Sequence, residues 1–287
     1  MNQTFDGSGI QMRSSEVFTP QHGFTQGIEG PACDKEGNLY AVNYERQGTI
    51  GKVTPEGECS VFLELPEGCI GNGIRFTRNG DMCIADYAGH HVFRYSFVTK
   101  ELHVLAHDPT MNQPNDIAIM ANDIVFASDP KWADDTGQIW RIRPDGEMTL
   151  LESGMGTTNG IEVSPDERLL YVNESVQRRI WVYDLQEDGS ISNKRLHHQF
   201  PDFGLDGMRC DVDGNLYVAR FGKGTVAVLA PDGTVTEEIR LHGSNCTNVT
   251  FGGEDGCTVY VTIMDQGNVE RFRANRPGRC RRLFGLV

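Results

Sequence analysis

The apolar and polar residues of the chain follow one pattern six times. Each copy begins with a short alternating apolar run, passes through a turn rich in Gly, Asn or Asp, and ends in a second β-rich run. This pattern predicts a hairpin of two antiparallel strands. The six copies begin 42 to 47 residues apart and span residues 29–43, 72–86, 115–129, 159–173, 206–220 and 248–262.

The stretch between one hairpin and the next carries a second turn flanked by two more strand-like runs, as in residues 137–151. Each period therefore supplies four strands, and repeated four-stranded units of about 40 to 50 residues are typical of β-propellers. Because no stretch keeps a 3.6-residue apolar period, we expect very little helix. The sequence predicts an all-β fold, a six-bladed β-propeller with four-stranded blades, as one domain over residues 1–287 with residues 1–14 as a loose N-terminal segment.

Two segments compete for the last strand of the sixth blade. Residues 16–19 resemble the fourth strand of a period, and the C-terminal residues 278–287 suit the same place. The sequence favours the N-terminal segment without deciding between the two. We interpret the arginines near the C-terminus as part of a solvated outer strand rather than an anion-binding patch. They are Arg271, Arg273, Arg276, Arg279, Arg281 and Arg282.

Composition narrows the range of partners. The chain has 287 residues and a formal net charge of -14, and no apolar run approaches the ~18 residues of a membrane span. Such a charge repels phosphate backbones and anionic membranes, so we expect small molecules and cations rather than nucleic acid or membrane. The N-terminus lacks the features of a secretory signal, which predicts a cytoplasmic protein. The eight cysteines form no C-x-x-C pair, which favours buried reduced thiols; the oligomeric state stays open.

The first residue of each copy is a carboxylate or a carboxamide. Residues at one repeat position occupy equivalent places around a propeller, and the first strand of each blade lines the central channel. Six oxygen-bearing side chains should therefore meet near its mouth, a set that suits a hard cation such as calcium. Loop chemistry at the start of a strand is the alternative explanation. The six residues are Glu29, Asn72, Asn115, Asn159, Asp206 and Asn248.

A second set of polar residues lies fourteen positions further on, where the returning strand reaches the same rim. We expect these residues to contact the substrate or to form hydrogen bonds to the metal ligands from the outer side. The alternative is that they are solvated loop residues. Lys131 and Trp132 follow in a longer connection that is predicted to cover the mouth, and His22 is the histidine expected nearest to it. The set consists of Asn43, Asp86, Asp129, Asn173, Arg220 and Thr262.

Four motifs in order resemble one family. They are Glu29-Gly-Pro, Pro114-Asn115-Asp116, Asn159-Gly with Ser-Pro-Asp after it, and Asp206-Gly-Met. The chain from about Glu16 is similar to the senescence marker protein, gluconolactonase and luciferin-regenerating enzyme family. The resemblance implies a six-bladed propeller that holds a divalent cation, usually calcium, through Glu29, Asn159 and Asp206. It also implies that Asn115 contacts the metal or the substrate.

The same resemblance implies a metal-dependent lactonase of the gluconolactonase type, a carboxylic ester hydrolase acting on a small lactone. Asp206 is the predicted general base or, as an alternative, the nucleophile. Gln113 stands where some members carry a substrate-binding arginine. The predicted substrate contacts are Asn72, Gln113, Asn115 and Asp129. Zn²⁺, Mg²⁺ and Mn²⁺ are alternatives to Ca²⁺, and a phosphotriesterase of the diisopropyl fluorophosphatase type or a non-catalytic calcium-binding propeller are alternatives to the lactonase.

Overall fold

Six four-stranded antiparallel blades surround a central channel in the protein, a computed structural model that describes residues 4–5 and 11–286. The innermost strand of each blade contacts the innermost strand of the next, and that of the sixth contacts that of the first. The ring is therefore closed. This architecture confirms the predicted six-bladed β-propeller.

The strands of each blade follow one another from the channel outward in chain order, with the outermost strand of blade 6 as the exception. Blades 1 to 3 contain Phe24–Cys33, Leu39–Tyr44, Thr49–Val53 and Cys59–Glu64; Gly71–Phe76, Met82–Asp86, His91–Ser96 and Glu101–His107; and Ile117–Ile119, Val125–Lys131, Thr136–Ile142 and Met148–Met155. Blades 4 to 6 contain Thr158–Val163, Leu169–Glu174, Arg179–Leu185 and Ile191–Gln199; Met208–Cys210, Leu216–Arg220, Thr225–Leu229 and Val235–Arg240; and Cys246–Gly252, Thr258–Ile263, Asn268–Arg273 and Glu16–Val17.

Apolar side chains form six clusters, and each cluster joins two neighbouring blades. Ile161 and Val172 of blade 4, for example, pack with Phe126 of blade 3. Because side chains alternate between the two faces of a strand, each blade presents apolar residues to both of its neighbours. Burial between blades, rather than one central core, stabilises the ring.

The N-terminal segment closes the ring. Val17 pairs with Glu270 and Glu16 with Arg271, so Glu16–Val17 is the outermost strand of blade 6. Gln11–Ser14 pairs in parallel with Val235–Arg240 of blade 5, and Thr4–Phe5 pairs with Gln11–Ser14. Of the segment predicted to be loose, residues 1–3 and 6–10 lie outside the described residues.

The C-terminal segment, a candidate for the last strand of blade 6, forms a helix elsewhere in the fold. Arg279–Leu283 is a short α-helix at the end of the channel opposite the ring of polar residues, with Leu283 in the apolar cluster between blades 2 and 3. Arg279 is 4% exposed and pairs with Glu162 and Glu167. The interpretation as a solvated strand is therefore wrong for Arg279, Arg281 and Arg282, whereas Arg271 and Arg273 lie on the strand Asn268–Arg273 with partly exposed side chains.

All eight cysteines are free thiols, and five of them are buried. The helices of the described chain are too short and too polar to cross a membrane.

One half-buried histidine should make the fold sensitive to acid. Burial, with the charges of His198 and Arg195, lowers the pKa of His197 from 6.5 to about 4. The unfolded chain therefore binds more protons than the folded chain between these values, and stability falls as the pH falls through this window. Between pH 7 and pH 4.5, we expect the melting temperature of His197→Gln to fall by less than the melting temperature of the parent protein. Equal losses in thermal melts at both pH values would contradict this assignment.

Candidate active site at the channel mouth

A cavity of about 170 Å³ opens at the mouth of the channel. Five of the six residues from the first repeat position line it, and apolar or aromatic side chains form its outer wall. The polar residues are Glu29, Asn72, Asn115, Asn159 and Asp206, and the outer wall contains Tyr87, Trp132, Phe221 and Met264. The repeat thus brings together side chains that are up to 177 positions apart in the chain.

Glycines after these polar residues let the inner strands approach one another closely. A Cβ atom on Gly30 would lie 1.8 Å from the carbonyl oxygen of Asn72, and one on Gly207 would lie 1.9 Å from Cγ of Asn248. Gly30 also has a φ of +59°, which side chains disfavour. The glycines that follow Glu29 and Asp206 are therefore required because the inner strands pack closely around the channel, and not only because a turn favours glycine.

Three neighbours hold the Glu29 carboxylate. Asn248 donates from Nδ2 to Oε2 at 2.9 Å, the backbone N–H of Gly30 donates to the same oxygen, and the Asp206 carboxyl is a further hydrogen-bond partner. Asn248 is fully buried, and its Oδ1 accepts from the N–H of Val249. The sixth polar residue of the ring thus lies behind the cavity wall and orients Glu29.

The two acidic side chains of the site strongly influence each other. Burial and the negative charge of Asp116 raise the pKa of Glu29. Burial and the adjacent Glu29 raise the pKa of Asp206 well above its usual range, although the Asn159 amide donates a hydrogen bond to Asp206. Two carboxyl groups this close share a proton unless a cation stabilises both in the ionised form.

Two amide oxygens at the site have no hydrogen-bond partner among the described residues. They are Oδ1 of Asn115 and Oδ1 of Asn159, whose side chains are 9% and 2% exposed. A buried acceptor without a partner costs about 1–3 kcal/mol. Two unpaired amide oxygens beside two carboxylates are the ligand types that a hard divalent cation prefers, so these residues fit such an ion.

A buried ion-pair network lies directly beneath this site, and the sequence motifs did not predict it. Oδ1 of Asp116 accepts from Nη1 of Arg75 at 3.1 Å, and Oδ2 accepts from Nη1 of Arg209 at 3.1 Å. Glu162 lies on the other side of Arg75, at 3.9 Å. The available signal was the charged residue at the fourth position of three copies, on strands that are otherwise apolar.

The second set of polar residues serves mainly to anchor backbone. Asp129 is fully buried and accepts from the N–H groups of Asn112 and Gln113 and from the side chains of Gln138 and Trp140. The prediction that Asp129 contacts substrate conflicts with this saturated environment, because both oxygens already have donors. Its role is to fix the loop before Asn115.

Other members of the set act similarly. Asn173 accepts from the N–H of Gly160 and donates to the carbonyl oxygen of Asp206 at 2.6 Å, so it positions two of the inner strands. Arg220 is 1% exposed and donates to Asp202. Asn173 thus contacts the backbone of the inner strands rather than the ligand side chains, and Arg220 is held by Asp202.

The connection after Asp129 reaches the mouth. Trp132, 40% exposed, lines the cavity from a single 3₁₀ turn, Trp132–Asp134, and its N–H donates to Oε1 of Gln113. Lys131 pairs with Asp134. Among the described residues, Gln113, Lys131 and His22 are not part of the cavity wall. Gln113 thus supports the covering residue instead of facing the cavity.

Fold and site define a class of protein: a six-bladed propeller with carboxylate and amide oxygens gathered at one channel mouth. The pattern of the family described as "SMP-30/Gluconolactonase/LRE-like region" matches residues 5–265, and the chain belongs to this family.

Individual relatives agree with this membership. Gluconolactonase of Zymomonas mobilis is 29% identical over 289 residues, which cover 88% of this chain and 80% of that protein. Diisopropyl-fluorophosphatase of Loligo vulgaris is 32% identical over 162 residues, which cover 52% of this chain and 51% of that protein. The solved structure of regucalcin from Agrobacterium tumefaciens, described as a calcium-binding protein, superimposes with a TM-score of 0.80 at 20% identity and covers 97% of both chains.

Proposed function

We propose that this protein is a divalent-metal-dependent lactonase that opens a neutral sugar lactone or a related small lactone. The observation that carries the proposal is the pair of unpartnered amide oxygens on Asn115 and Asn159, facing the carboxyl groups of Glu29 and Asp206 in one cavity. The similarity to gluconolactonase over most of both chains supports the choice of reaction.

Glu29, Asn115, Asn159 and Asp206 would hold the cation, with calcium as the proposed metal because every donor is an oxygen. A bound divalent cation supplies Lewis acidity toward a carbonyl oxygen, which is worth several kcal/mol of charge stabilisation. Asn248 holds Glu29 in place from behind, at 2.9 Å. The site is thus preformed by hydrogen bonds that do not depend on the substrate.

Asp206 is the proposed general base. Its carboxylate would accept a proton from the water that attacks the lactone carbonyl carbon, and that proton would later pass to the ring oxygen as the C–O bond breaks. The Asn159 amide donates a hydrogen bond to Asp206 and so fixes the orientation of the carboxylate. Glu29 stays a ligand and supplies the second negative charge.

The walls of the cavity favour an uncharged substrate with an apolar face. Trp132, Tyr87 and Phe221 form much of the rim, and its described lining contains no Lys, Arg or His. A sugar ring can place its C–H face on an aromatic side chain and its hydroxyl groups toward Asn72. A substrate that carries a carboxylate or a phosphate would find no positively charged side chain to pair with in this described lining.

Metal removal tests the proposal. We expect turnover of a panel of five- and six-membered lactones to disappear after exhaustive chelation and to return on addition of Ca²⁺ in excess of the chelator. Because a ligand that binds only the folded state stabilises it by about 2.7 kcal/mol at a hundredfold excess over Kd, chelation should also lower the melting temperature. Calorimetry and elemental analysis on the same samples provide the second readout.

The other outcomes discriminate between functions. Hydrolysis of diisopropyl fluorophosphate without lactone turnover would favour the phosphotriesterase, a possibility that the similarity to the Loligo vulgaris diisopropyl-fluorophosphatase supports. Stoichiometric metal without any hydrolysis would favour a non-catalytic calcium-binding propeller. Full lactone turnover in metal-free protein would overturn the proposed metal dependence.

A further inference from the structure

We propose a second metal site, for a thiophilic divalent cation of the zinc class, formed by Cys69, Asp86 and His91 at the rim of blade 2. The thiol sulfur, a carboxylate oxygen and a ring nitrogen of these residues all lie within 4.8 Å of one another. This site is separate from the channel mouth, whose lining includes none of the three residues.

Asp86 is held in a fixed orientation. It is fully buried, and its Oδ1 accepts from the backbone N–H groups of Ile70 at 2.8 Å, Gly89 at 3.0 Å and Ala88 at 3.2 Å. Its Oδ2 faces Nδ1 of His91 at 2.9 Å. Backbone N–H groups thus saturate Oδ1 of Asp86, whereas Oδ2 faces the neighbouring side chains.

The equivalent residue of blade 3 shows what a purely structural carboxylate looks like at this position. Oδ2 of Asp129 accepts from Nε2 of Gln138 at 2.7 Å and from Nε1 of Trp140 at 2.9 Å, and neither donor can become a metal ligand. At Asp86 the donors are instead an imidazole and the thiol of Cys69. Both can release a proton and coordinate a metal.

The donor set determines the class of metal. Thiolate, imidazole and carboxylate together select Zn²⁺ or Co²⁺, whereas Ca²⁺ takes oxygen ligands. The His91 side chain is 24% exposed, which leaves a path from solvent and a fourth position for water. The His107 ring stacks on the His91 ring with 4.6 Å between centroids and holds its plane. On binding, the Cys69 thiol proton is released, and the imidazole proton moves from Nδ1 to Nε2.

Cobalt titration in the presence of excess Ca²⁺ tests the site, because calcium blocks the oxygen ligands at the mouth. One equivalent of Co²⁺ should produce a thiolate-to-cobalt charge-transfer band in the near ultraviolet, which Zn²⁺ removes and further Ca²⁺ does not. Cys69→Ser should abolish the band, and His91→Gln should weaken Co²⁺ binding at least about tenfold. Cys59→Ser, which alters a partly exposed cysteine of blade 1, is the matched control and should keep the band.

Absence of a charge-transfer band at millimolar Co²⁺, or an unchanged band in Cys69→Ser, would overturn the site. A measurement on the unmodified protein covers the case in which a variant fails to fold: in excess Ca²⁺, calorimetry should show one equivalent of Zn²⁺ bound, and absence of Zn²⁺ binding also contradicts the proposal. The lactonase is tested separately, since Cys69→Ser should retain calcium-dependent lactone turnover whether or not zinc binds.

Discussion

Asp206→Asn should reduce single-turnover hydrolysis of a sugar lactone by about 10²- to 10⁴-fold at saturating metal. The substitution keeps an oxygen ligand of nearly the same size beside Glu29, but it removes the proton acceptor and one negative charge. The measurement follows lactone loss in single turnovers, with metal content determined on the same samples so that loss of the base and loss of the metal are separated.

Asn72→Ala is the comparison for this prediction. Asn72 lines the same cavity from the equivalent position of blade 2, yet both of its amide atoms have hydrogen-bond partners or solvent, unlike Oδ1 of Asn115 and Asn159. We expect a much smaller loss for this variant. Full activity of metal-loaded Asp206→Asn would end the assignment of Asp206 as the base, and a loss beyond about 10⁴-fold would indicate a nucleophilic role or loss of the metal.

Asp116→Asn should destabilise the fold by about 3–5 kcal/mol, because it leaves two buried guanidinium groups without their shared counter-charge. Asp116 is 1% exposed and bonds Arg75 and Arg209. Although burial acts to raise it, the charges of Arg209 and Arg75 hold the pKa of Asp116 below its usual value. Chemical denaturation with urea, at equal calcium for both proteins, measures the loss.

Asp213→Asn provides the matched control. Asp213 pairs with Arg276 at the surface, where both side chains are about half exposed. An exposed pair of this kind contributes at most about 1 kcal/mol, so the control should stay close to the parent. Similar losses in the two variants would show that the channel network is not the source of the stability.

The sequence predicted the ring because the polar residue at the start of each copy recurs at a constant position, and five of the six residues at that position line the cavity. It could not predict the pairing of Asp116 with Arg75 and Arg209. Those contacts join residues 41 and 93 positions apart, on different blades, and depend on how far each side chain reaches across the channel.

Two other differences have similarly local causes. The helix Arg279–Leu283 has only five residues, too few to show a helical period, and it is formed because Leu283 and Arg279 find buried partners at the end of the channel. Asp129 shares its repeat position with Asn43, which lines the cavity, but Trp140 and Gln138, which occupy the oxygens of Asp129, are specific to blade 3. A repeat pattern describes what the blades share and omits what each blade adds.

The helix across the far end makes the channel blind. Below the mouth, the Arg75–Asp116–Arg209 network lies across the bore, and Arg279–Leu283 lies at the far end, where Arg279 and Leu283 line a cavity together with Arg75 and Arg209. Among the described residues, Trp132 lines the mouth by which a molecule would enter and leave. Under the proposed lactonase function, an open-chain product leaves by the same mouth through which the next substrate arrives, so competitive product inhibition and slow product release are the expected kinetic consequences.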